Sequence, residues 1–237
     1  MVTTLAALLP DNEEERLQTL QHYDILHSLQ EVVFNEFVEL TARIFNLPIS
    51  LIALVDGDEV EYKANEGLPG LRRQPRAEAL CALAVREHKT VVLADIAAVP
   101  GLVPEAALAA RAKNLRFYAG APLAMPDHRG IGTLCVIDRH PRTFSPDEQR
   151  VLEHVASLVA TTVAVRHYCR IGTGQGDRHW QLVQRHLTDE IRELVALVRY
   201  LSARFGTQVP VSGAVLEPVQ RRLHDLGRLL HEYTTRD

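Results

Sequence analysis

Three glycines within five residues, Gly172, Gly174 and Gly176, cut the chain into two stretches with different hydrophobic rhythms. Glycine carries a high backbone-entropy cost in regular structure, so residues 171–177 read as a hinge or linker. Beyond it, Leu187, Ile191, Leu194, Val198, Leu201 and Phe205 recur at gaps of four, three, four, three and four. After a turn from Thr207 to Gly213, Leu216, Val219, Leu223, Leu226, Leu230 and Tyr233 recur at three, four, three, four and three. Such gaps keep one stripe of a helix apolar. Residues 178–237 are therefore expected to form an antiparallel hairpin of two heptad-type helices. A lone hairpin buries only one seam and needs a partner. The expected partner is a second copy, which gives a four-helix bundle and a homodimer.

Residues 1–170 mix two periodicities. Asp11 and Asn12 precede Glu13, Glu14 and Glu15, a capping residue followed by acids that suit the positive end of a helix. A second helix is predicted over about 29–45, with Val33, Phe37, Leu40 and Ile44 on one face. Ile49 to Val55 is a branched, apolar run before Asp56-Gly57-Asp58, hence a strand and a turn, with a return strand from Glu59 to Ala64. A helix from Pro75 to Glu87, a strand over Thr90–Leu93 and a short helix from Pro104 to Lys113 follow. Arg116–Leu123 and Gly130–Ile137 are two further strands. Ser145-Pro146-Asp147-Glu148 then combines a capping Ser, a Pro at the first helical position and a Glu three residues on. Adjacent strands with few crossovers imply an antiparallel sheet with helices on its faces, an α+β fold.

Composition narrows the function classes. Hydrophobic residues make up 46% and charged residues 24%, an ordinary globular balance over 237 residues. The formal net charge of -4 supplies no broad basic field for a phosphate backbone, so nucleic acid is not an expected partner. Cys81, Cys135 and Cys169 are an odd, widely spaced set, which implies reduced thiols and a cytoplasmic location. No His/Cys spacing suits a metal. The first residues lack a basic lead-in and read as an approach to a helix, and no apolar run is long enough to span a bilayer.

The body resembles the GAF domain family as found in bacterial sensor kinases and cyclic-dinucleotide enzymes. The residues that carry this are Glu14 to Leu17, Tyr23 to Leu26, Leu47-Pro48-Ile49 through Asp56, Arg116-Phe117-Tyr118-Ala119-Gly120-Ala121-Pro122-Leu123 and Gly132-Thr133-Leu134-Cys135-Val136-Ile137-Asp138. Pro141-Arg142 and Phe144-Ser145 match the turn into the closing helix. The resemblance implies a central antiparallel sheet with one face on the terminal helices and the other beneath loops that can enclose a small molecule. It implies a sensor of cyclic nucleotides, tetrapyrroles, haem or metabolites, or a dimerisation module. Where the family commonly reads Phe-Cys-x-His, this chain has Leu80-Cys81-Ala82-Leu83, so the histidine that serves pigment or haem is replaced. The cofactor is left unknown.

The expected ligand pocket comprises Tyr62, Arg76, Cys81, Phe117, Tyr118, Cys135 and Asp138. A tyrosine ring can stack on a flat ligand or fill core; Phe117 is as well suited to core. Cys81 and Cys135 are either small buried hydrophobes or redox thiols. Because Leu134 and Val136 share a face, Cys135 points to the other. Asp138 and Arg116 are expected to pair or to grip a polar ligand, and Arg72, Arg73 and Arg76 form a basic cluster. No residue is assigned as catalytic. The expected function is a sensor and dimerisation protein that binds a small molecule or partner through residues 1–170, with output through the hairpin to a signalling partner. One alternative is a thiol-dependent free methionine sulfoxide reductase on the same fold. Another is phosphotransfer through His186, which sits beside the seam but lacks the adjacent acid of kinase hairpins.

Overall fold

The computed structural model describes residues 8–26, 31–171 and 176–234. The amino-terminal approach (1–7) and the middle of the glycine-rich linker (172–175) lie outside the described residues. Helices α1 (Glu13–His22) and α2 (Val32–Phe45) lead into strands β1 (Ile49–Val55), β2 (Glu59–Glu66) and β3 (Arg73–Pro75). Then come α3 (Cys81–Glu87), β4 (Val91–Leu93), α4 (Pro104–Ala112), β5 (Phe117–Ala124) and β6 (Gly130–Asp138). Helix α5 (Pro146–Ile171) closes the α+β body, and α6 (Gly176–Phe205) with α7 (Gly213–Thr234) makes the antiparallel hairpin.

All six strands are antiparallel in the order β3-β2-β1-β6-β5-β4. Strand alternation sorts their side chains into two cores. Ile49, Leu51, Ala53 and Val55 of β1 join Tyr62, Tyr118, Cys135 and Ile137 on the face under α3 and α4. Ile52 and Leu54 join Phe117, Leu134 and Val136 on the face that packs on α2 and α5. Cys135 thus points away from its two neighbours, as the alternation requires.

Two helix starts turn out differently. The Ser145–Glu148 capping box forms as predicted: Ser145 N donates to Glu148 Oε2 at 2.7 Å, and Glu148 N donates to Ser145 Oγ at 3.2 Å. Asn12 precedes α1 but makes no side-chain capping bond. The helix expected over Pro75–Glu87 begins only at Cys81. Arg73–Pro75 instead adds an edge strand to β2, where proline's missing donor faces no partner strand, and a single tight turn covers Arg76–Glu78.

The hairpin's seam is covered by the body of the same chain. Helix α6 packs along α2 and α7 along α5. Leu187, Ile191, Leu194, Leu223, Leu226 and Leu230 are buried in one cluster with Val33, Phe37, Val155 and Val159. A four-helix layer forms, but two of its helices belong to the body of the same chain. Two surface ion pairs span the contact: Arg192 reaches Glu36 at 2.8 Å and Arg199 reaches Glu39 at 2.8 Å. Glu31 accepts from Arg166 Nε at 2.5 Å and from Trp180 Nε1 at 2.8 Å, tying α6 to α5 at the start of α2.

The other end of the body is locked by a half-buried carboxylate. Glu13 takes a bidentate pair from Arg16 at 2.8 Å for each bond, and it also pairs with Arg76. Both arginines are fully buried and also donate to backbone carbonyls, Arg16 to Val55 O at 2.7 Å and Arg76 to Leu8 O at 3.1 Å. Burial pushes the Glu13 carboxyl up, but the hydrogen bonds and charges of Arg16 and Arg76 outweigh it and hold it below the usual glutamate range. A carboxyl whose folded pKa is lowered binds fewer protons folded than unfolded. Its contribution is complete above the ordinary glutamate value and is lost as pH falls through the lowered one. Urea denaturation across that acid window is expected to show a loss of stability that a Glu13→Gln chain does not share. Equal acid sensitivity in the two proteins would refute this assignment.

Candidate functional site

Helices α3 and α4 and the loop between β2 and β3 cover the central strands and enclose a small pocket. Leu51 and Ile137 form its floor, with Leu68, Leu71, Leu80, Ala110 and Leu115 as walls. Tyr62, Cys81 and Tyr118 complete the lining, and Gln74, Glu78 and Lys113 bring polar groups to it. The free space is about 30 Å³, room for a water or two. A larger ligand therefore requires the cover to move.

Tyr62, Cys81 and Tyr118 are buried, whereas Gln74, Glu78 and Lys113 are half-buried. Burial, and then the neighbouring Cys81 and Cys135 thiols, push the phenols of Tyr62 and Tyr118 well above their usual range. Among the described residues the Tyr118 hydroxyl has no nitrogen or oxygen hydrogen-bond partner, and the Cys81 thiol is its polar neighbour. Its ring lies back over Gly120, where an added Cβ would meet the hydroxyl at 2.1 Å. The glycine thus makes the space that the tyrosine occupies. Cys81 Sγ and Cys135 Sγ are 3.9 Å apart, a proximity that the sequence, in which they stand 54 positions apart, does not reveal. Burial pushes the Cys135 thiol well above its usual range, and its contact with Cys81 adds to this. The two sulfurs are in contact, yet the neutral thiol is the poorer nucleophile. Cys169 lies far off on α5.

Of the expected pocket residues, the structure brings Tyr62, Cys81 and Tyr118 to the pocket, with Cys135 directly behind Cys81. It removes three. Phe117 points to the opposite face, packed 5.7 Å from Phe144 and 6.0 Å from the Arg142 guanidinium, because strand alternation separates it from Tyr118. Arg76 is buried against Glu13, since a guanidinium out of water needs a carboxylate. Asp138 caps its own turn, accepting from Arg139 N at 2.6 Å and His140 N at 3.3 Å. Its expected partner Arg116 is held instead by Asp95, at 2.8 and 2.7 Å. The basic cluster disperses likewise, with Arg73 bonded to Glu61 at 2.9 Å.

Sequence reasoning predicted α4 as a helix but missed its place over the pocket, and it missed the leucine walls. Leu80 and Leu115 flank regular elements, and only the folded chain shows them above the sheet. On the hairpin, His186 Nδ1 is 2.8 Å from the Tyr233 hydroxyl and Nε2 is 3.8 Å from Glu190. Both ring nitrogens therefore face neighbours. Among the described residues no group of His, Cys, Asp or Glu could hold a metal ion, and no helix is long and apolar enough to cross a membrane.

The GAF domain family model matches residues 30–163. The chain is 32% identical over 155 residues to the cyclic di-GMP phosphodiesterase PA2567 of Pseudomonas aeruginosa. That match covers 65% of this chain but 26% of the relative, so the chain spans about a quarter of its length. Among solved structures, the PixJ GAF domain of Thermosynechococcus elongatus, in its blue-light absorbing form, aligns with a TM-score of 0.50 and 16% identity, covering 59% of this chain and 87% of that one. The GAF domain of an Acinetobacter phosphoenolpyruvate-protein phosphotransferase aligns with a TM-score of 0.48 and 19% identity, covering 65% and 96%.

Proposed function

Because the chain belongs to the GAF domain family, whose members are typically signalling sensors, we propose that it is a sensory module with a helical output. A small, largely apolar molecule enters the pocket between α3, α4 and the sheet, with one polar group for the Tyr118 hydroxyl. The hairpin α6–α7 passes the change to a signalling partner or a second copy.

One observation carries this reading: a single sheet lies between the pocket and the hairpin's seat. Cys135 borders the pocket, while Leu134 and Val136 beside it on β6 belong to the core under α5. Packed interiors transmit strain, so a ligand that displaces Tyr118 or Cys135 also loads α5 and the hairpin helix α7 upon it. Pairing of copies through the C-terminal helices takes the form of exchange in this reading. Each hairpin seats on α2 and α5 of the other copy and buries the same seam.

Native mass spectrometry of the full chain purified from its host tests both parts. The expected spectrum contains a two-chain species and a retained small molecule, and a Cys81→Phe chain, with its pocket filled, loses the molecule. A wild-type chain that carries nothing, or a Cys81→Phe chain that keeps it, counts against the pocket. A purely one-chain spectrum counts against exchange.

The paired thiols favour the reductase as a second reading, because Cys81 and Cys135 stand within reach of one another. Against it weighs the burial that keeps Cys135 protonated.

A further inference from the structure

A second cleft opens beyond the wall of the pocket, with Leu115 as the shared partition. It has a volume of about 430 Å³, within the range of small-molecule sites. Ile96, Val99, Leu102 and Leu115 make an apolar floor, and Arg111, Arg116 and Arg139 converge on it from α4 and the ends of β5 and β6. Asn114 adds an amide at a left-handed backbone position, with φ of 56°.

The charge of this cleft is unbalanced. Asp95 occupies Nε and Nη2 of Arg116 and Asp138 caps the turn at Arg139, but the residues that line the cleft include three arginines and no carboxylate. Arg111 and Arg139 have no ion-pair partner among the described residues. The chain as a whole is acidic, with a formal net charge of -4, so a local cationic excess is not a general property of its surface. Planar guanidiniums match phosphate oxygens two at a time, and an anion here would have an apolar surface beside it.

We infer that this cleft binds an organic phosphate, its phosphoryl group held by Arg111, Arg139 and the open edge of Arg116, and its planar or apolar body on Ile96, Val99 and Leu102. The site is separate from the pocket under α3 and does not rest on the sensory reading of that pocket.

Calorimetric titration with adenosine 5′-monophosphate, phenyl phosphate and inorganic phosphate tests it. At least one of the two esters is expected to bind saturably at one site and more tightly than inorganic phosphate, which has no body for the floor. Arg111→Gln with Arg139→Gln is expected to weaken that binding by about tenfold or more, since charge-assisted hydrogen bonds are lost. Both side chains are exposed, so folding is unaffected. Arg178→Gln with Arg185→Gln removes the same charge from exposed hairpin positions and is expected to leave binding unchanged. The inference is overturned if neither ester binds, if inorganic phosphate binds as tightly as the better ester, or if the hairpin control loses as much as the cleft variant. Cys81→Phe separates the two sites: ester binding that vanishes with it belongs to the pocket and overturns the cleft.

Discussion

Ile191→Asp is expected to unseat the hairpin while the sheet stays folded. Ile191 is fully buried on α6, in the cluster that joins it to α2. Truncating such a side chain costs about 2–5 kcal/mol, and an unpaired carboxylate in the seam adds its own desolvation. The ion pairs Arg192–Glu36 and Arg199–Glu39 cannot compensate, because both arginines are more than half exposed and such pairs contribute about 1 kcal/mol or less. The strands do not depend on α6 for their hydrogen bonds. Hydrogen exchange followed by mass spectrometry is expected to show α6 and α7 losing protection while β1, β5 and β6 keep theirs. Loss of protection everywhere at once would show that hairpin and body unfold as one unit. The relay proposed above would then lack a separable output.

Removing Glu148 is expected to have the larger effect on global stability. Its carboxylate closes the capping box on Ser145 N, pairs with Arg142 and accepts from Val211 N at 3.1 Å in the turn of the hairpin. Arg142 in turn donates to Phe45 O at 2.6 Å, at the end of α2. One side chain thus joins α5, α2 and the α6–α7 turn, and both charges are out of water. Glu148→Ala leaves Arg142 buried without its carboxylate, a loss of about 3–5 kcal/mol. For a chain of this size that lowers Tm by about 10 °C, read by thermal denaturation. Asp147→Asn is the contrasting case. Its pair with Arg150 is well exposed, so the expected change is below about 1 kcal/mol. Equal effects of the two substitutions would contradict the role assigned to Glu148.

Glu148 also shows how far local sequence reaches. Its place in a capping box is legible from Ser145 and a spacing of three. Its bonds to Arg142 and Val211 are not, because they join residues brought together only by folding. Tyr62, Cys81 and Tyr118 could be placed near the pocket from the resemblance, whereas Phe117 could not be told from Tyr118 until strand register fixed which face each took. A signal for the hairpin's seat was present and unread. In α5, Val151, Val155, Leu158 and Val165 lie on one side and Ala156, Ala160 and Ala164 on another, and a helix apolar on more than one side must be covered on more than one side.

The glycine-rich sequence after Ile171 therefore separates two rhythms but not two independent surfaces. By itself the sequence determined what depends on neighbours along the chain: the helix start at Ser145, the alternation of β1 and β6, and the apolar stripes of α6 and α7. Tertiary structure alone decided what covers those stripes, which thiols meet, which arginines are buried and which stand open in the cleft. The physical reason is that hydrophobic burial has no direction. A stripe declares that it must leave water, and only the assembled shape of the chain says against what.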